Sequence, residues 1–426
     1  MSQSSELIER FETGKMDQIL IKLYGTADVE IQRSRYIKAV ESFVEHFGER
    51  DNLYIFSAPG RTEIGGNHTD HNYGKVLAAS VNLDAIAIVA ANNSGIINVK
   101  SEGYGEDSVH IKDLEVKESE KNRSVSLIRG VAAKIKERGY NIGGFEAYIT
   151  SDVPTGCGIS SSAAFEVLIG TILSHIYNDG QIDAFEIAKA AQCAESEYFG
   201  KPCGLMDQMA SSVGGVIKVD FKDPQNPNLE PVVFDFSKFG YSLFIVDTGG
   251  SHEDLTAEYA AIHEEMKQVA SCFGKTVLRE VNKDDFLLNL KNIRGKLGER
   301  AILRALHYFD ENNRVDKQTE ALKNFDFDAF NKLVIESGNS SYKYLQNVFS
   351  QTDPKSQGLS LALYIAESLL KQSGSYRVHG GGFAGTTQNF VPAGIADKFK
   401  SRIESVFGAG SCIELLIRPV GAIKIL

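Results

Sequence analysis

The densest concentration of reactive side chains lies in the run Pro59-Gly60-Arg61-Thr62-Glu63-Ile64-Gly65-Gly66-Asn67-His68-Thr69-Asp70-His71-Asn72. One arginine, two acids, two histidines and two asparagines there supply many short donors and acceptors, which is what a hydroxyl-rich ligand needs. Such a run, set between apolar stretches, is hard to bury without partners. A solvated loop is the plain alternative. A metal site on His68, Asp70 and His71 ranks below a polyol site, because metal sites usually draw a further ligand from a helix or a distant segment.

A second run, Val153-Pro154-Thr155-Gly156-Cys157-Gly158-Ile159-Ser160-Ser161-Ser162-Ala163, joins two glycines to three serines at the head of an apolar stretch. A helix starting there would offer unpaired N–H groups and a partial positive charge to a phosphate, with hydroxyls to bond it or a phosphate-bound Mg2+. A glycine turn with serine caps is the alternative. No lysine follows the glycines, so this is not a Walker A loop, and Gly274-Lys275-Thr276 has Val269 where that motif needs a glycine. A third cluster, Gly380-Gly381-Gly382-Phe383-Ala384-Gly385, satisfies G-x-G-x-x-G literally. Thr386 to Pro392 look extended, however, and no acid sits about 20 residues on, which rejects the dinucleotide reading. Asp207, alone among apolar neighbours, reads as a partly buried proton acceptor or as a helix cap. The single Asp247-Thr248-Gly249 is half of what an aspartic-protease dyad requires.

Those segments need elements to hold them. Leu53 to Ser57, Val76 to Ala91, Phe145 to Ile149, Val216 to Phe221 and Tyr241 to Val246 read as strands, and Cys412 to Arg418 as a central one. Helical spacing marks Arg33 to Phe47, Ala163 to Tyr177, Phe185 to Phe199, Glu253 to Phe273, Leu278 to Arg314 and Lys317 to Ser337. Tyr376 to His379 and Gln388 to Val391 flank the third glycine cluster as a hairpin. Strands and helices in blocks favour an α+β architecture, divided near Gly214-Gly215 into 1–214 and 215–426.

Composition narrows the function classes. The 426 residues, 42% hydrophobic and 24% charged, exclude whole-chain disorder and suggest more than one domain. A net charge of −11 argues against nucleic-acid binding, but not against an anion held by backbone N–H groups. No apolar run reaches the ~18–20 residues of a membrane span, and the polar, acidic N-terminus is no signal peptide. The five cysteines, odd in number and widely spaced, read as free thiols in a reducing cytoplasm.

Taken together, the segments resemble the galactokinase family of the GHMP small-molecule kinases. The three motifs, Gly60 to Asn72, Pro154 to Ala163 and Gly380 to Gly385, occur in the family order, with Ala194-Glu195 and Pro202-Cys203-Gly204-Leu205-Met206-Asp207-Gln208 between them. Asn312, Arg314-Val315 and Glu336-Ser337 also fall where the family has similar residues, so the likeness runs from about Tyr36 to the end. It implies a two-domain GHMP kinase fold with mixed or antiparallel sheets covered by helices and an inter-domain active site. ATP phosphates would lie on Gly156, Gly158, Ser160, Ser161 and Ser162, with Mg2+ on Ser162 and Glu195. Asp207 would be the base at the sugar C1 hydroxyl, and Arg61 would stabilise charge. Glu63, Asn67, His68, Asp70, Gly204 and Tyr259 would line the sugar. The resemblance thus implies a cytoplasmic galactose 1-kinase, monomeric or weakly homo-oligomeric, with small-molecule partners only.

The sequence departs from the family at informative places. Glu63 stands where Asn is usual, and Asn67 where a Glu meets the sugar C6 hydroxyl. That exchange predicts that Glu63 and Asn67 touch, or that the C6 substituent differs. His71 replaces a Tyr, Ser196 a His, Ile262 and His263 an Arg pair, Gly338 a His and Ala384 a Gly. Another galacto-configured sugar, such as N-acetylgalactosamine or galacturonate, is the alternative substrate. A non-catalytic sugar and ATP sensor is the alternative class, disfavoured by the complete serine run and Asp207.

Overall fold

The computed structural model describes residues 2–154, 158–250, 255–371 and 373–426. Its strands are β1 (Leu53–Gly65), β2 (Lys75–Asn92), β3 (Ile96–Ser101), β4 (Glu106–His110), β5 (Gly144–Ser151), β6 (Val216–Asp220), β7 (Asn228–Val232), β8 (Tyr241–Asp247), β9 (Ser375–Val378), β10 (Thr386–Pro392), β11 (Cys412–Leu415) and β12 (Ile423–Lys424). One sheet runs β12-β1-β2-β5-β3-β4, with β6 added on β2 and β7 on β6; the other runs β11-β8-β10-β9. The β3–β5 pair is parallel and the other pairs are antiparallel.

The near-continuous apolar texture of β2 follows from burial on both faces. Ala85, Ala87 and Val89 face α4 (Ser124–Glu137), α5 (Ser161–Tyr177) and α6 (Ala184–Cys193). Ile86, Ile88 and Ala90 face the opposite layer, where Leu7, Leu20, Tyr36 and Phe43 come from three N-terminal helices, α1 (Gln3–Glu12), α2 (Asp17–Tyr24) and α3 (Val29–Phe47). The lower half of β2 meets the second sheet through a cluster that includes Leu77, Phe236, Phe330 and Phe390. That cluster draws on α11 (Glu299–Lys323) and α12 (Phe327–Ser340), and α7 (Met206–Val213) packs beside it on β1 and β2. The remaining helices, α8 (Thr256–Ser271), α9 (Lys283–Leu288), α10 (Leu290–Leu297), α13 (Gly358–Leu370) and α14 (Ala396–Phe407), complete the second half.

Several expectations need adjusting. Cys412 to Arg418 is not a central strand: β11 ends at Leu415 and pairs only with β8, while Ile417 bridges across to Val81. Phe185 to Phe199 is not one helix, because α6 gives way at Ala194 to a π-turn, Ala194–Phe199, that ends on left-handed Gly200. The charged stretch from Leu278 breaks into α9, α10 and α11. The expected helix start at Glu253 lies outside the described residues, as does Gly156 of the phosphate run. In strand pairing, β6 and β7 continue the first sheet past residue 214, so the two sheets part between β7 and β8. The hairpin around the third glycine cluster is β9–β10.

One polar interruption in β2 ties the N-terminal helices to the C-terminal tail. Asp84 is fully buried and accepts from Tyr24 at 2.6 Å, Arg35 at 2.7 Å and Arg418 at 3.0 Å. Burial pushes its carboxyl up, but the two guanidinium groups outweigh that and hold it below the ordinary range. Removing one member of a buried charge cluster strands the others. Asp84→Asn is expected to cost about 3–5 kcal/mol, read as a lowered urea midpoint. A loss under about 1 kcal/mol, the size of an exposed pair, would mean the network holds nothing together.

Candidate active site

The polar run after β1 is aimed by its strand. Two register shifts against β2, at Pro59/Arg61 and at Glu63/Gly65, kink β1 and redirect its side chains. Gly60 sits at the first: a Cβ there would stand 2.8 Å from the Ile159 carbonyl, which accepts the Arg61 N–H at 3.0 Å. The kink therefore binds the polar run to the segment that leads into α5. From this position Arg61, almost wholly buried, donates to both oxygens of Asp207 at 2.7 and 2.6 Å, and also to the Gly158 carbonyl.

Ser160 completes the junction. It takes a left-handed backbone, φ 60°, and its hydroxyl donates to Asp207 instead of capping α5. The first turn of a long buried helix, opened by Ser161 and Ser162, is thus left without a side-chain cap, which suits an anion. Burial pushes the Asp207 carboxyl up, but Arg61 and the Ser160 hydroxyl outweigh it and keep it below its ordinary value. Asp207 is ionised at neutral pH.

Beside it, the π-turn brings Glu195 into the interior. The Ser162 hydroxyl and the Lys201 ammonium both donate to its Oε1 at 3.0 Å, and Gln208 Nε2 donates to its Oε2 at 2.9 Å. The same Gln208 nitrogen donates to Glu166 Oε2 at 3.1 Å. Burial, followed by the neighbouring Glu195 charge, pushes the Glu166 carboxyl well up. Two buried oxygens here, Glu166 Oε1 and Gln208 Oε1, have no hydrogen-bond partner among the described residues. A hard, oxygen-only donor set of this kind fits a magnesium ion.

His68 and Asp70 form the third part. His68, left-handed at φ 56°, donates Nε2–H to the Gly381 carbonyl at 2.9 Å. Asp70 is pressed against Gly204, where a Cβ would lie 1.6 Å from its Oδ2, so any side chain at 204 would displace the carboxylate. Burial, then the charge of Asp207, pushes Asp70 up to about 6. Tyr259 reaches the same loop from α8, donating to the Gly382 carbonyl at 2.8 Å.

Glu63 and Asn67 do touch, at 3.0 Å. Asn67 is fully buried; its Nδ2 donates to Glu63 and to the Gly380 carbonyl at 2.6 Å, while its Oδ1 accepts from Asn347 at 2.9 Å and Ser341 at 3.3 Å. All four hydrogen-bonding positions of the amide are used by protein. Glu63 is paired with buried Arg377, which also donates to the Ile64 carbonyl at 2.8 Å. In this structure both side chains are bonded to protein behind the loop. His71 and His263 stand together, ring centroids 4.9 Å apart. Gly338 leaves room for β9, since a Cβ there would meet the Arg377 Cβ at 3.1 Å.

The sequence reading missed Arg377, Glu166, Gln208 and Lys201. Glu166 carried a signal, being a lone acid four residues past Ser162 in an apolar helix. Gln208 directly follows Asp207. Arg377 precedes the third glycine cluster by three residues, but nothing local pairs it with Glu63.

Comparisons with known proteins place the chain in a family. Residues 126–215 match the GHMP kinases N terminal domain, and residues 41–91 match the galactokinase galactose-binding signature. The crystal structure of Lactococcus lactis galactokinase complexed with galactose aligns with a TM-score of 0.78 at 25% identity, over 90% of this chain and 98% of that one. Methanococcus jannaschii mevalonate kinase, at 14% identity and a TM-score of 0.61 over 86% of this chain and 99% of its own, shares the fold alone. The fold is that of the GHMP kinases. Galactokinase of Glaesserella parasuis is 32% identical over 82% of this chain and 88% of its own length. Galactokinase of Thermotoga petrophila is 32% identical over 85% and 96%. The chain belongs to the galactokinase family.

The raised Asp70 carboxyl makes a pH prediction. Its ionised form only accepts, at both oxygens, whereas protonation turns one oxygen into a donor, and the ionised form is lost as pH falls through about 6. kcat/KM for the sugar should therefore drop on the acid side of pH 6 in a rate profile. A profile flat from about pH 5 to 8 would exclude Asp70 as the acceptor.

Proposed function

We propose that this protein transfers the γ-phosphoryl group of ATP to the C1 hydroxyl of galactose. The observation that carries the reading is the continuous chain Arg61–Asp207–Ser160, which joins the sugar-signature segment to the uncapped N-terminus of α5. One ionised carboxylate thereby stands between the polyol loop and the phosphate site, where a hydroxyl must lose its proton as it attacks phosphorus.

In this reading Asp207 orients the C1 hydroxyl and takes its proton. Phosphoryl transfer asks for positioning and charge neutralisation more than for strong basicity, so a carboxylate with lowered pKa is adequate. Arg61 holds Asp207 in place and stabilises charge on the transferring group. Gly158, Ser160, Ser161 and Ser162, with the N–H groups of α5, receive the phosphates. His68 and Asp70 bind sugar hydroxyls, Gly204 giving Asp70 its room, and Tyr259 supports the Gly381–Gly382 side. Glu63 and Asn67 keep the loop in register. Mg2+ held by Ser162 and Glu195 would neutralise phosphate charge. No helix among the described residues is long and apolar enough to cross a membrane.

ADP release measured across galactose, N-acetylgalactosamine, galacturonate and L-arabinose tests the proposal. Galactose should give the highest kcat/KM. Preference for L-arabinose, which lacks the C6 carbon, would overturn the galactose assignment, and no turnover with any sugar would favour a sensor.

A further inference from the structure

The inference concerns Lys201 and rests on reading Glu195 as the cation ligand. Lys201 follows left-handed Gly200 at the end of the π-turn, and the N–H groups of both residues donate to the Glu195 carbonyl at 3.1 Å. Its backbone is thus fixed to the residue whose side chain it bridges. The side chain itself is 62% exposed, in contrast to Arg61 at 7%.

The charge balance of the site makes this contact more than a surface ion pair. Glu195 and Asp207 bring two negative charges together, and the Arg61 guanidinium is engaged by both oxygens of Asp207. A triphosphate adds several more negative charges. Arg61 and Lys201 both act on Asp207, and of the two the lysine is the exposed one, on a flexible four-carbon stem. Its ammonium occupies the oxygen, Glu195 Oε1, that already accepts from Ser162. A divalent cation taking Ser162 and Glu195 must displace it, and an ammonium released beside incoming phosphates has an obvious new partner.

We propose that Lys201 is a phosphate-binding residue that rests on Glu195 in the free enzyme and moves to the nucleotide phosphates when a divalent cation takes its place. The lysine then has two opposed effects: it weakens cation binding in the absence of nucleotide, and it strengthens nucleotide binding.

The test uses the full-length Lys201→Met and Lys201→Arg variants, with Glu195→Gln as a control. Manganese binding to nucleotide-free enzyme is followed by electron paramagnetic resonance, and binding of a non-hydrolysable ATP analogue by calorimetry. Lys201→Met should bind Mn2+ several-fold more tightly and the analogue about tenfold more weakly, the size of one charge-assisted hydrogen bond. Galactose affinity should be unchanged, and Lys201→Arg should restore analogue binding. Unchanged analogue affinity, or no gain in Mn2+ affinity over the parent, overturns the inference. If Glu195→Gln leaves cation-dependent analogue binding intact, the cation site itself is misassigned, which separates the two failures.

Discussion

The bidentate pair between Arg61 and Asp207 is the contact around which the rest is arranged. It spans 146 positions of sequence and joins a kinked strand to the head of a short helix. Arg61 is almost wholly buried and Asp207 partly so, and losing either partner would leave the other's charge uncompensated. Each is also held by a third party: Arg61 by the Gly158 carbonyl and Asp207 by Ser160. The pair therefore fixes three segments at once, the polar loop, the glycine-serine turn and α7. The pair also explains why a helix with three serines at its head goes uncapped.

A second layer keeps that pair in register. Arg377 and His379, at the end of β9, grip the same stretch of β1 from behind, through Glu63 and Ile64 in one case and through Thr62 and the Glu63 N–H in the other. Asn67 adds a bond to Gly380, and His307 from α11 donates its Nε2–H to the Asn67 carbonyl. The two sheets thus meet through hydrogen bonds around the polar loop, and His68 joins them through the Gly381 carbonyl. The exchange of Asn and Glu between positions 63 and 67 fits this layer. The carboxylate is now the one next to Arg377, and the amide is the one that satisfies four protein partners.

Much of this was legible in the sequence because the chemistry is local. The glycine-serine turn before an apolar helix, the lone Asp207 and the dense polar run each announce themselves within a dozen residues. The β9–β10 hairpin and the rejection of a dinucleotide loop followed from the extended residues after Gly385. What stayed hidden depends on partners distant in sequence. Glu63 and Arg377 lie 314 positions apart, and no local pattern marks them as a pair. How many of the Asn67 bonds are filled by protein depends on partners that only packing supplies. The edge position of β11 escaped notice because an apolar run looks alike at the edge and the centre of a covered sheet. The π-turn at Ala194–Phe199 has no periodic signature, yet it turns Glu195 inward.

The central claim is that Asp207 takes the proton from the sugar hydroxyl while Arg61 holds it ionised. The most direct test is Asp207→Asn, with galactose affinity measured by calorimetry and turnover by ADP release. The amide keeps the size of the carboxylate and one accepting oxygen, but its nitrogen donates only and it cannot take up the proton. The account predicts a fall in kcat of about 10²–10⁴-fold with galactose affinity within a few-fold of the parent. Turnover within tenfold of the parent, at equal sugar affinity, would contradict it.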